Sequence, residues 1–343
     1  MGTLSNLLDD VREQIEAEDD ALDEARARLS FVRSRAGSFY GALRTYRSGS
    51  LAAHTMNHPV TDGDGGLVLN RNYYPGLGPE GTGTEAPATI VSELVAHIGP
   101  LIREEYPDAK VHQSKRGPKI HFHSPLTDGS DPTVDLVLAL TRKEGSGIWI
   151  PNLEDDSWEA SDPERHIALF NTGAAAFRST RRQIMRLAKA WNKQFVKPGA
   201  SSFEMSVWVW EFVEPGMGVA KGLETTFAEA ATRLEDEQPT PDPANVSPDL
   251  RLLIDSKTMA ARLRKAADHL VAARTASDDD DVRTALSNVF WNYIAAPATA
   301  GLTASVKTLK AATPVAAAAI GVAVGGTTAG ANVARAYGGT GRP

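Results

Sequence analysis

The chain has 343 residues, with 42% hydrophobic and 23% charged, enough apolar content to bury one large core or two ordinary ones and too much for global disorder. Acidic residues exceed basic ones by 43 to 36, a formal net charge of −7, which argues against a protein that grips long nucleic acid while leaving room for a local basic pocket. With no cysteine there can be no disulfide, thiolate metal site or cysteine nucleophile.

The acidic, amphipathic N-terminus does not read as a signal peptide. The spacing of Leu4, Leu7, Leu8, Val11 and Ile15, continued by Leu22, Leu29 and Val32, predicts one long helix over 4–33. Acidic residues lead it, Arg26, Arg28, Arg33 and Arg35 close it, and Gly37 stops it. A short second helix is expected over Ser38–Tyr46.

Strands and loops follow to about Ile150. Gly65-Gly66-Leu67-Val68-Leu69 reads as a short strand, and Ala88–Glu105 returns to helical spacing. Lys110–His123 alternates as a hairpin turning at Arg116-Gly117-Pro118, and Thr133–Leu140 is a Val- and Leu-rich strand. After Ser161 the chain reads as helical, over Asp162–Thr172, Gly173–Gln194, Ser201–Val213, Glu224–Glu235 and Ser256–Thr275. Pro239–Pro248 is a loop, and Asp278–Asp281 caps a helix over Val282–Ile294. Past Pro297 the composition shifts to Ala, Gly and Thr, the signature of a tail. The expected division is a helix over 1–36, an α+β core over 37–160, a helical lobe over 161–296 and the tail over 297–343.

The chemistry concentrates in three places. Gly49-Ser50 closes a helix-like segment, Asp62-Gly63-Asp64 precedes a strand, and Asp135 sits inside Thr-Val-Asp-Leu-Val-Leu-Ala-Leu. Residues i and i+2 of a strand share a face, so Asp62 and Asp64 project together if the strand begins there. Asp-Gly-Asp-Gly is also an ordinary turn sequence. Asp135 is harder to explain that way, because a carboxylate in an apolar strand needs a partner. Like charges side by side call for a cation, and a third carboxylate on a neighbouring strand completes an all-oxygen site suited to Mg²⁺ or Mn²⁺. Two such ions can clamp the attacking and leaving oxygens of a phosphoryl displacement, with Gly49 and Ser50 offering N–H groups and a hydroxyl to a triphosphate.

This order of motifs resembles the DNA polymerase β-type nucleotidyltransferase superfamily, and within it the bacterial synthases related to cyclic GMP-AMP synthase and oligoadenylate synthase. The long N-terminal helix is similar to their spine helix. Trp158-Glu159-Ala160-Ser161-Asp162-Pro163 with His166 resembles the segment that opens their helical lobe, and Arg186-Leu187-Ala188-Lys189-Ala190-Trp191 resembles their Arg-x-x-Lys-x-Trp helix, whose lysine meets nucleotide phosphates. In relatives Gly-Thr often follows the Gly-Ser pair after three residues, whereas His54-Thr55 stands here. The resemblance implies a mixed-sheet nucleotidyltransferase lobe, a helical lobe and a spine helix. It implies Asp62, Asp64 and Asp135 as catalytic and metal ligands, and Gly49, Ser50, Arg186 and Lys189 as nucleotide-binding residues. It further implies two Mg²⁺ or Mn²⁺ ions and NTP substrates joined into a cyclic di- or oligonucleotide, a second messenger in anti-phage defence. Companion regulatory or effector proteins would dock on the tail, in a cytoplasmic enzyme without a membrane span. A nucleotidyltransferase that modifies tRNA or protein, or a decayed nucleotide-binding protein, stays open as an alternative.

The helix around Lys189 also reads on its own. Arg182, Arg186, Lys189 and Lys193 share one face, and Ile184, Leu187, Trp191 and Phe195 another. A solvated basic face is the ordinary reading, and a phosphate-binding face the sharper one. His54 and His58 lie beside the Gly-Ser loop, and His121 and His123 share a strand face as metal-ligand candidates. Arg71, Tyr73 and Tyr74 lie beyond the first strand and could border a nucleotide, while Trp208 and Trp210 read as core. The uncharged stretch Ala311–Ala334 is long enough for a bilayer, but its glycines and threonines favour a docking tail.

Overall fold

The computed structural model describes residues 2–83 and 85–297. The tail, with the docking and membrane expectations that fall on it, lies outside the described residues. A mixed sheet in the order β1-β2-β5-β4-β3 underlies one lobe, with β6 added to β5 and β7 to β6. The strands are β1 (Ala42–Ser48), β2 (Asp62–Leu69), β3 (Lys110–Ser114), β4 (Gly117–His121), β5 (Thr133–Thr141), β6 (Ile148–Asn152) and β7 (Ser157–Ser161). Only β2 and β5 run parallel; the other pairs are antiparallel.

The N-terminal segment is two helices rather than one: α1 (Thr3–Gln14) and α2 (Asp19–Ala36). Tertiary partners break it. The Ile15 carbonyl accepts from the His58 backbone N–H at 3.0 Å and from the Arg186 guanidinium at 3.2 Å, so it has no need of a helical N–H. The break divides two cores. Leu7, Leu8, Val11 and Ile15 join the helical core, whereas Ala21, Ala25, Leu29 and Val32 lie against the sheet with α4 (Pro87–Arg103).

The helix expected over Ser38–Tyr46 is instead a turn and the edge strand β1, which pairs with β2 from Ala42↔Leu69 to Ser48↔Asp64. Gly41, at φ 72°, makes that turn, and a Cβ there would meet the Tyr74 ring at 2.6 Å. The Gly-Ser pair therefore opens a helix, α3 (Gly49–Ala53), after a strand, rather than closing one.

β2 is buried along its whole length, and its composition explains how it carries two carboxylates. Leu67 and Leu69 point with Gly63 and Gly65 into the core under α2; a Cβ on Gly63 would touch the Ala25 carbonyl and Leu29 at 3.2 Å. The small residues let α2 lie close, and the alternate positions Asp62, Asp64 and Val68 take the opposite face. β5 alternates likewise, with Val134, Leu136, Leu138 and Leu140 inside. Arg28 of α2, read at the sequence level as a dipole cation, is fully buried: it donates to Asp131 at 2.5 Å, the Pro132 carbonyl at 2.8 Å and the Ser124 carbonyl at 2.5 Å, pinning the loop that enters β5.

The helical lobe holds α5 (Pro163–Phe170), α6 (Ala175–Lys193), α7 (Ser202–Phe212), α8 (Val219–Glu235), α9 (Ser256–Thr275) and α10 (Asp279–Val289). Asp162 caps α5, accepting from the Arg165 N–H, and Asp278 caps α10, accepting from the N–H groups of Asp280 and Asp281. Trp191, Trp208, Phe227 and Phe290 are its fully buried aromatic anchors. No helix among the described residues is long and apolar enough to cross a membrane.

Candidate active site

The parallel register of β2 with β5 sets Asp64 directly beside Asp135, and Asp62 beside Thr133. Each of Asp62, Asp64 and Asp135 offers a carboxylate oxygen within 4.8 Å of the others. Asp62 and Asp64 are buried, and the Asp135 side chain retains 19% of its exposure. Burial pushes the Asp64 carboxyl well above the ordinary range, and the Asp62 and Asp135 charges push it further; Asp62 is raised by burial and by Asp135. Three oxygen donors so crowded, two of them with their anions disfavoured by burial and by neighbouring charge, form a donor set that fits a hard divalent cation.

Lys119 is a member of this site that the sequence reading missed. The antiparallel register of β4 with β5 puts it opposite Asp135, and its ammonium donates to Asp135 Oδ2 at 2.8 Å. The turn of the predicted hairpin falls at Lys115-Arg116, between Ser114 and Gly117, one residue earlier than the sequence suggested.

Gly49 and Ser50 arrive from the other side. Gly49, at φ 66°, lies against Asp64 so closely that a Cβ would stand 1.9 Å from Oδ2. Ser50 Oγ accepts from Lys189 Nζ at 3.2 Å, and Lys189 also donates to Thr55 Oγ1 at 3.2 Å and to the Thr55 carbonyl. Burial pushes the Lys189 ammonium down to about 7; Lys193 and Arg186 act the same way, while Asp62 and Asp64 pull against them. Thus α6 supplies a buried cation to the α3 turn.

Arg186 lies one turn before Lys189 and is engaged elsewhere: it meets Glu16 at 2.9 Å, Asn57 Oδ1 at 3.2 Å and the Ile15 carbonyl. Arg182 donates to Asn171 Oδ1 at 2.6 Å, and Lys193 is exposed within the electrostatic reach of Asp62. Arg71 lies past the far end of β2, donating to the Thr141 carbonyl at 2.9 Å and the Leu77 carbonyl at 3.0 Å, and Tyr73 rests on Tyr40. A cavity of about 680 Å³, not lined by Asp62, Asp64 or Asp135, lies between the β6–β7 hairpin and the 242–251 segment, with His166 of α5 and Phe203 of α7.

His54 takes the left-handed conformation, φ 58° and ψ 40°, and lets the Thr55 N–H close on the Ser50 carbonyl at 2.9 Å. This is the position where glycine would be unstrained, since a left-handed backbone costs an L-residue roughly 1–2 kcal/mol. His54→Gly is expected to leave stability unchanged or raise it by up to about 1 kcal/mol, and His54→Val to lower it by about as much. Thermal unfolding of the two variants checks the sign.

No family model matches the chain, and no curated protein matches it in sequence. Solved structures do. CdnC of E. coli MS115-1, determined with ATP, superposes with a TM-score of 0.62 over 85% of this chain and 98% of its own, at 18% identity. CdnC is also known in a complex with HORMA-deltaN. The CD-NTase CdnG of Bradyrhizobium diazoefficiens, in complex with GTP, gives 0.64 over 90% of this chain and 98% of its own, at 16% identity. DncV of Vibrio cholerae, bound to 3′-deoxy GTP, gives 0.60 over 83% and 93%, at 13% identity. At such identity a shared backbone speaks for the fold alone, and the fold of this chain is that of these structures: a mixed-sheet lobe joined to a helical lobe.

Proposed function

We propose that the chain is a nucleotidyltransferase that joins NTPs into a cyclic di- or oligonucleotide. The observation that carries this reading is the Asp62–Asp64–Asp135 cluster, flanked by Ser50 and the buried Lys189. Structural neighbours bound to ATP and GTP support it.

Asp62 and Asp64 would hold two Mg²⁺ or Mn²⁺ ions and Asp135 one of them. Bound there, the ions supply charge neutralisation and an activated hydroxyl. Ser50 and the α3 turn orient the triphosphate, and Lys189 balances its charge. A ribose hydroxyl oxygen bonds to the α-phosphorus as its proton passes to solvent water, the bond from that phosphorus to the bridging oxygen of the β-phosphate breaks, and pyrophosphate leaves with the electron pair. Asp135 positions the attacking hydroxyl. A second transfer closes the ring. An NTP-consuming enzyme of this kind works in the cytoplasm, its product serving as a second messenger in anti-phage defence.

Incubation of the purified protein with labelled NTPs and Mg²⁺ or Mn²⁺ tests the reading. A small phosphatase-resistant product supports it; a labelled macromolecule makes the chain a modifying transferase, and no transfer makes it a binding protein.

Lys189 gives a second test. A buried lysine amine that titrates at about 7 takes up a proton when a polyphosphate docks beside it. NTP affinity is therefore expected to fall as pH rises through about 7. Lys189→Met should flatten that dependence and weaken NTP binding roughly ten- to hundredfold, the scale of a lost charge-assisted hydrogen bond of about 1.5–3 kcal/mol. Titration calorimetry in two buffers of different ionisation enthalpy reads the proton uptake.

Companion proteins are proposed to dock on the stretch after Pro297, as the complex of CdnC with HORMA-deltaN shows that a protein of this fold assembles with a partner. Truncation near Ala300 should preserve nucleotide synthesis and remove co-purifying partners; lost synthesis would reassign the stretch to the enzyme body.

A further inference from the structure

Transfer between two nucleotides needs two seats, and the first is accounted for by Ser50 and Lys189. Across the sheet the order of strands is β1, β2, β5, β4, β3, with α3 following β1, so Ser50 and Asp64 lie on one side of Asp135 and the β3–β4 hairpin on the other. The register of that hairpin places Lys110 opposite His121 and His112 opposite Lys119, and Lys119 in turn stands opposite Asp135. Cross-strand partners share a face. Lys110, His112, Lys119 and His121 therefore stand on the same face as Asp135, while Val111, Ile120 and Val134 turn into the core.

The imidazoles are ordered on that face. His112 and His121 stack with centroids 5.2 Å apart and planes 18° from parallel, and His123 continues the file at 6.3 Å. Lys110, His112 and His123 are exposed, and His121 is half-buried. A file of near-parallel rings sets three imidazoles side by side, alongside the ammonium groups of Lys110 and Lys119. In a chain of net charge −7 this is a concentration of donors without an acidic side chain among these hairpin positions. Two strand spacings, about 10 Å, separate the Asp135 row from the His112 row. That is a span a nucleotide covers between its ribose hydroxyl and its 5′-phosphates.

We propose that the Lys110–His112–Lys119–His121 face of the β3–β4 hairpin, extended by His123, seats the 5′-polyphosphate of the acceptor nucleotide, holding its ribose hydroxyl at Asp135. The proposal rests on the nucleotidyltransferase reading and adds the second substrate's seat. It separates the two nucleotides by chemistry: donor phosphates on Ser50 and Lys189, acceptor phosphates on imidazole and ammonium groups at the sheet edge. These groups act by positioning, with no bond made or broken at them.

The test counts nucleotides without requiring turnover. Calorimetric titration with α,β-methylene ATP and α,β-methylene GTP, in the presence of Mg²⁺, should give two equivalents per chain for the wild type. The double variant His112→Gln/His121→Gln, and separately Lys110→Glu, should weaken one equivalent roughly tenfold or more and leave the other unchanged. Ser50→Ala should weaken the other. Imidazole NMR signals of His112, His121 and His123 should shift with the second equivalent. Two equivalents unaffected by the hairpin variants overturn the acceptor seat and leave the nucleotidyltransferase reading standing. A single equivalent in the wild type also overturns the seat. No binding at all overturns the nucleotidyltransferase reading, and the seat falls with it. In turnover assays the same variants should raise the acceptor KM with kcat and donor KM little changed; a loss confined to kcat would overturn the positioning role.

Discussion

Gly49→Ala is expected to abolish nucleotide transfer. The added methyl would stand 1.9 Å from Asp64 Oδ2, 2.6 Å from its Cγ and 2.8 Å from its Cβ. Those atoms sit on a strand buried along its length, so Asp64 cannot retreat without disturbing β2. The backbone at φ 66° adds roughly 1–2 kcal/mol of strain for any L-side chain. The α3 turn therefore has to move away from the carboxylates, separating Ser50 from the Asp62–Asp64–Asp135 cluster. A loss of several kcal/mol of transition-state stabilisation corresponds to roughly a thousandfold or more in turnover. The measurement is product formation beside thermal unfolding with and without Mg²⁺. A folded variant with near-normal turnover would remove the α3 turn from the site.

Asp64→Asn should move activity and stability in opposite directions. Removing one of the proposed metal ligands is expected to cost turnover by roughly a thousandfold or more. In chelator the same change should raise the melting temperature, because it removes a carboxylate whose anion is disfavoured by burial and then by the charges of Asp62 and Asp135. The sign with pH follows. A carboxyl whose folded pKa lies above its unfolded value contributes stability at low pH, and that contribution is lost as pH rises from the ordinary carboxylate value toward the folded one. The difference in melting temperature, variant minus wild type, should therefore be small below about pH 4 and grow as pH rises. Mg²⁺ or Mn²⁺ should stabilise the wild type and narrow the gap. A variant less stable than the wild type in chelator at neutral pH would mean that Asp64 is held by hydrogen bonds rather than strained by its neighbours.

The site was legible where local sequence carried the chemistry. Asp135 in an apolar strand announced itself because apolar strands exclude unpartnered carboxylates, and the i, i+2 spacing of Asp62 and Asp64 gave their common face once β2 began at Asp62. Lys119 was not legible, since its contact with Asp135 depends on the register of β4 against β5, which no local pattern encodes. The steric demand on Gly49 arises from the approach of a separate strand. The break between α1 and α2 was hidden because the apolar spacing runs through Ile15 to Leu22, while the groups that take the Ile15 carbonyl come from residues 58 and 186. The Ser38–Tyr46 segment misled for a related reason: its aromatic and aliphatic residues suit a helix as well as an edge strand, and pairing with β2 decides between them. The helical lobe, built from long amphipathic segments with aspartate caps, followed its periodicity more closely, although α8 begins at Val219 rather than Glu224.

The place of α1 in the helical core bears on how the molecule is made. Thr3 of α1 hydrogen-bonds to Asp279 of α10, 276 residues further along. During synthesis at about 5–20 residues per second, the Leu7–Leu8–Val11 stripe emerges on the order of tens of seconds before the helix that covers it. The sheet lobe can close around α2 in that interval, because its strands and α4 are complete by Ser161. The nascent chain thus carries an amphipathic helix whose apolar stripe stays uncovered until α10 arrives, and an uncovered stripe of this kind is a site for aggregation during that interval.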